Sequence, residues 1–242
     1  MKVFKKALVA LAATAAMATP SFAALNNVGG IVWDPTSGLD FGMGGVFLQG
    51  FSGTGTSQLG EVLSGYGNVS AINGAGAAGV GGFCQAGPNC SLTFVFDGFT
   101  LTSGVGPAFP KTFAGGTVKL YVDTDAAADN SIVAASDGIL WANFNAHVFP
   151  GPLTLFVQLN PFGAAQGAGY LDIVGGLAQA ALDTNTQADG SDVFFSTTVQ
   201  AGSTNGGFTL NGDSIQVPEP GSLALLGLGL VGLAAARRRK SA

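Results

Sequence analysis

Ser91-Leu92-Thr93-Phe94-Val95-Phe96-Asp97-Gly98-Phe99-Thr100-Leu101-Thr102 is the stretch from which the fold is read. Leu92, Phe94 and Phe96 face one way, the period of a strand with one buried face. Asp97-Gly98 then marks a bend or bulge. Similar runs lie on both sides: Phe41 to Gln49, Glu61 to Ile72, Thr117 to Val122, Ile139 to Val148, Leu153 to Leu159, Tyr170 to Val174, Asp192 to Gln200 and Phe208 to Val217. In Ile139 to Val148, Leu140, Ala142, Phe144, Ala146 and Val148 share one face, and Trp141, Asn143, Asn145 and His147 the other. Only Gly175 to Leu182 reads as a short helix. Eight to ten strands at this spacing predict an all-β domain of β-sandwich or jelly-roll type.

Composition agrees. The chain has 39 glycines, many Thr, Ser, Asn and Phe, and few of the Glu and Lys that favour exposed helix faces. Seven of its nine cations lie near the two ends. Between them, Ala24 to Val217 holds Lys111 and Lys119 against Glu61 and twelve aspartates, a net charge of −11. Such a surface repels nucleic acid and anionic lipid, and suits divalent cations or neutral glycans.

The first end reads as a secretory leader. Lys2, Lys5 and Lys6 precede the apolar stretch Ala7 to Ala18, and Ser21-Phe22-Ala23 sets small residues for cleavage between Ala23 and Ala24. In an exported chain Cys84 and Cys90, six apart, are expected to form a disulfide across their turn.

The other end reads Val217-Pro218-Glu219-Pro220, Gly221-Ser222, an apolar run from Leu223 to Ala236, and Arg237-Arg238-Arg239-Lys240. Each proline keeps the residue before it extended. The 14-residue run would span roughly 21 Å as a helix, short of a ~30 Å hydrocarbon core. It has no polar face, however, and the four cations after it would hold its end on the cytoplasmic side. The expected organisation is a signal peptide (1–23), a β-rich extracytoplasmic domain (24–214), a linker (215–222), a transmembrane helix (223–236) and a basic cytoplasmic tail (237–242). This tail resembles the PEP-CTERM sorting signal of Gram-negative bacteria. The resemblance implies an exosortase-type membrane protease as partner, transient anchorage in the inner membrane, and delivery to the cell surface or matrix. Proteins of this class are associated with exopolysaccharide, biofilm and floc. The stretch from Asn68-Val69-Ser70 to Phe96 resembles flocculation-associated members.

Other motifs were weighed for chemistry. Gly74-Ala75-Gly76-Ala77-Ala78-Gly79 fits a dinucleotide fingerprint, but no helix follows to face a pyrophosphate. His147, the only histidine, has no serine in a nucleophile elbow near it. Two acidic runs remain. Asp123-Thr124-Asp125 leads to Asp129 and Asp137, and Asp183-Thr184-Asn185 leads to Asp189 and Asp192. Alternating Asp and Asn beside glycine can gather the oxygens calcium needs, although neither run completes an EF-hand. The expectation is a non-enzymatic surface or matrix protein with no cofactor beyond optional calcium. The alternatives are a lectin-like glycan- or calcium-binding module using Trp141, Tyr121 or the aspartate loops, and a hydrolase with paired carboxylates.

Overall fold

The computed structural model describes residues 25–49, 58–77, 82–106, 110–125, 129–148, 155–159, 164–187, 189–200 and 205–215. The leader, the apolar run 223–236 and the basic tail lie outside them. The quoted stretch forms the longest strand, β6 (Ser91–Ser103), with Leu92, Phe94 and Phe96 buried. Before it come β1 (Asn26–Val28), β2 (Ile31–Trp33), β3 (Leu39–Gln49), β4 (Val62–Ile72) and the two-residue β5 (Ala75–Gly76). After it come β7 (Lys111–Ala114), β8 (Thr117–Asp123), β9 (Ile139–Ala146), β10 (Leu155–Leu159), β11 (Ala164–Gly175), β12 (Val193–Gln200) and β13 (Asn205–Gly212). A single helical turn, Gln179–Leu182, follows β11.

The sheet closes. Its order runs β6, β8, β9, β11, β12, β13, β3, β4, and β4 pairs back onto β6 from Val62↔Thr100 to Asn68↔Thr93. All these pairings are antiparallel, so the expected sandwich or jelly roll is instead an eight-stranded barrel. An inward/outward alternation fits either architecture, and only the β4–β6 pairing separates them. Gly98 (φ +81°) is the bend the sequence announces: β6 pairs with β8 as far as Asp97 and with β7 from Thr100. β10 pairs with both β7 and β11, so β7 and β10 continue the wall where β8 and β9 stop. Eight strands therefore surround the axis at both levels.

At eight strands a barrel is just wide enough for side chains to fill it. Phe47, Phe94, Phe96 and Phe208 do so, with ring centroids 5.0–5.4 Å apart in four of their pairs. Each such contact adds about 0.5–1.5 kcal/mol beyond area burial. The rings have room because the neighbouring strands β4 and β3 carry glycine beneath them. A Cβ at Gly65 would lie 2.4 Å from the Phe96 ring, one at Gly67 2.8 Å from Phe94, and one at Gly45 2.9 Å from Phe94. An apolar void of about 10 Å³ lies in this packing, bordered by Phe47, Leu63, Leu155 and Val199.

One end of the barrel is capped by the β1–β2 hairpin and the loop before β6. The hairpin turn, Gly29-Gly30, has positive φ at both residues, as a two-residue hairpin loop requires. Cys84 and Cys90 are joined as a disulfide, and Ile31 bridges to Cys84. Closing so short a loop contributes about 2–3 kcal/mol. Trp141 lies beneath this cap and not on the outer face the alternation predicted. The β8–β9 ladder passes from Leu120↔Ala142 to Tyr121↔Leu140, so Trp141 is the extra residue of a bulge. It turns inward, is fully buried, packs edge-on against Trp33 and Phe41, and donates to Val28 O at 2.9 Å.

The glycine–phenylalanine interlock has a direct consequence. Gly65→Ala is expected to lower unfolding stability by about 3 kcal/mol through overpacking. Gly44→Ala, on the outer face where a Cβ meets nothing within 4 Å, should change it by less than about 0.5 kcal/mol. Urea titration of the two variants checks the contrast.

Candidate functional site

Three groups of chemistry-bearing residues gather around the capped end and the adjoining wall. The first lies on the excursion between β8 and β9. Because these strands are neighbours, the chain that leaves at Asp123 must return beside it. Ligand oxygens of Asp123, Asp125 and Asp137 fall within 4.8 Å of one another, with Asp123 buried and the other two exposed. The excursion is strapped to the outer wall. Thr93 Oγ1 donates to Ala135 O at 2.8 Å and the Tyr66 hydroxyl donates to Asn130 O. Thr93 is thereby fully buried although it points away from the barrel axis.

Asp129 lies beside this group and feels its charge. Its Oδ2 sits 3.5 Å from Ser91 Oγ, whereas Oδ1 is buried without a hydrogen-bond partner. Desolvation is the largest cause pushing the Asp129 carboxyl above the usual carboxylate range, followed by the charge of Asp123 and a hydrogen bond with it. Asp137 and Asp125 add further repulsion. Four acids thus crowd one place that holds no cation side chain among the described residues.

The second aspartate run, Asp183 to Asp192, is built differently. The buried Asp192 carboxylate accepts backbone N–H from Ile173 (2.8 Å), Thr184 (2.7 Å) and Asn185 (2.8 Å). Asp183 accepts from Asn185 Nδ2, and Asp189 Oδ1 accepts from the Ser191 amide and hydroxyl. These carboxylates hold their own loop in shape and do not converge on a common point. The loop instead reaches His147. Asp172 on β11 lies 2.8 Å from His147 Nδ1, and Asp189 Oδ2 lies 3.9 Å from Nε2 on the other side. No linear spacing announces this trio, since Asp172 reaches His147 only through the β9–β11 register.

Of the aromatic residues expected to offer a glycan platform, Trp141 is fully buried and unavailable. Tyr121 is half-buried, and burial pushes its hydroxyl pKa up.

The third group concerns the two ends of the domain. Asn26, almost completely buried, donates from Nδ2 to Ile215 O at 2.9 Å, and Ile215 N donates to Ala181 O at 2.7 Å. Trp33 Nε1 donates to Ser214 Oγ at 2.8 Å. The first strand and the last described residue are therefore clipped together at the capped end. Ala23 and Ala24, Val217 to Pro220, and Arg237 to Lys240 all lie outside the described residues, the first two groups within a few positions of this clip in sequence. Residues 216–240 match the family model of the PEP-CTERM protein-sorting motif.

The chain carries a PEP-CTERM sorting motif.

No curated protein and no solved structure matches the chain. The PEP-CTERM motif implies recognition by an exosortase, a membrane protein, and supports an exosortase-sorted extracellular protein. Among the described residues no helix is long and apolar enough to cross a membrane.

For Asp129 the sign of the pH effect follows from its raised folded-state pKa. Its unfavourable contribution is absent at pH values where both states are protonated, and grows as pH rises through that raised pKa. Asp129→Asn is therefore expected to raise Tm at pH 7 in the presence of a chelator and to leave it nearly unchanged at pH 3. Thermal melts at the two pH values measure this.

Proposed function

We propose that this protein is a structural or adhesive component of the bacterial surface or extracellular matrix, sorted through its C-terminal motif and acting without catalysis. The observation that carries the reading is the PEP-CTERM motif starting one residue beyond Ile215. The fold supports it in two ways. The barrel axis is filled by phenylalanine, so the interior offers stiffness and not a substrate chamber. The arrangement of apolar side chains inside and hydroxyl, amide and glycine positions outside is the reverse of a lipid-facing barrel.

The Asn26–Ile215 clip gives this reading a geometry. Asn26 and Ile215, which lie near the leader and the sorting motif in sequence, are both at the capped end, and on this reading that end faces the inner membrane before processing. The opposite end and the side wall face outward. Each proline of Val217-Pro218-Glu219-Pro220 biases the residue before it away from the helical region, which suits a segment read by a protease.

A second reading, cation binding by Asp123, Asp125, Asp129 and Asp137, is favoured by the buried, unpartnered Asp129 Oδ1. Calcium takes six to eight oxygens, and a clustered set of carboxylates is its usual donor class. At one hundred times its Kd, calcium would stabilise the fold by about 2.7 kcal/mol. Thermal melts with calcium and with chelator should differ for the natural chain and coincide for Asp123→Asn.

Intact mass and cell fractionation, with and without the host's exosortase, test the sorting reading. The expected mature chain ends near Pro218 to Pro220 only when the exosortase is present. The same mass and location in both strains would contradict it.

A further inference from the structure

We propose that the outer wall formed by β10, β11, β12, β13, β3 and β4 binds a neutral polysaccharide laid across the strands. The ladder registers place Gln158, Gln166, Thr198, Gly207, Gly44 and Asn68 side by side in a single row, one residue per strand. All six are exposed. At about 4.8 Å between strands the row runs roughly 24 Å around the wall.

Three features select the occupant. The first is charge. In a domain of net −11, these six strands contain only Asp40 and Asp172, and neither belongs to this row. Anionic polymers are repelled by the rest of the domain, whereas a neutral one binds here without stripping water from any charge. The second is shape. Two shallow grooves of about 280 and 340 Å³ follow one another, the first along Gln158, Gln166 and Thr198 of the row and the second from Thr198 and Gly207 towards Gly42 and Ser70, and they share Ser196, Thr197 and Thr198. Gly44 and Gly207 keep its floor low, since a Cβ at either would stand in open space.

The third is chemistry. Side-chain hydroxyls and amides both donate and accept, as sugar hydroxyls do, and Ser196 and Thr209 already form such a pair at 2.6 Å. Two residues beyond Ala168 and Ser196, on the same face, the half-buried Tyr170 and Phe194 sit opposite each other with ring centroids 5.2 Å apart. They offer an apolar face with a polar tip for the C–H side of a sugar ring.

The ligand class rests on the reading of a matrix protein, but the test is independent of sorting because it uses purified protein. The processed protein recovered from its host is run in native gels containing hydroxyethylcellulose or dextran, both neutral, or alginate, which is anionic. The expected result is retardation in at least one neutral gel and none in alginate. Gly207→Glu and Thr198→Asp, both at exposed positions, should reduce apparent affinity at least tenfold while Tm stays within a few degrees. Unretarded natural protein in both neutral gels, equal retardation in alginate, or undiminished retardation of both variants would each overturn the proposal. Sedimentation of the same samples addresses the competing occupant: a dimer that Gly207→Glu converts to monomer would assign the wall to a second copy of the chain and overturn it too.

Discussion

The interlock between phenylalanines on β6 and β13 and glycines on β3 and β4 is the constraint on which the remaining structure depends. Gly65 and Gly67 are the cross-strand partners of Phe96 and Phe94, and their lack of a side chain lets those rings lie over β4. The same two glycines lie in the strand that pairs back onto β6. Filling the interior and closing the sheet are thus one event. A side chain at those positions would push β4 outward and break the seam that removes the barrel's free edges.

Closure decides where functional groups can stand. With the interior occupied, the chemistry-bearing groups among the described residues stand at the capped end, on the strapped excursion and on the outer wall. The cap joins the start and finish of the domain through Asn26 and Ile215, so the sorting motif begins beside a fixed point. The acids of the β8–β9 excursion are crowded because two adjacent strands force its ends together. The six-strand wall beside it is almost free of charge, an asymmetry that net charge alone conceals.

Much of this was legible in the sequence, for identifiable reasons. Leu92, Phe94 and Phe96 alternate cleanly, and the turn at Asp97-Gly98 fell where the strand changes partner. The Cys84–Cys90 bridge followed from spacing and export. Trp141 was misassigned because a bulge, invisible in a period-two pattern, rotates one residue out of phase. The barrel was missed because no local signal records the pairing of β4 with β6. Glycine abundance counts in the composition only as evidence for a β-rich domain, whereas Gly45, Gly65 and Gly67 are packing partners of aromatic rings. Of the acidic residues, Asp192 looked like a cation ligand in the sequence, but its oxygens are taken by three amides of its own neighbourhood. His147, Asp172 and Asp189 come together only through tertiary register.

The most direct measurement of the central claim is native-state hydrogen exchange along the β4–β6 seam. A closed, aromatic-filled barrel predicts that amides of β4 and β6 in this ladder open only by global unfolding, with the same protection as those between β12 and β13. Seam amides exchanging at rates typical of an exposed edge strand, while β12 and β13 stay protected, would mean an open sheet and would contradict the account.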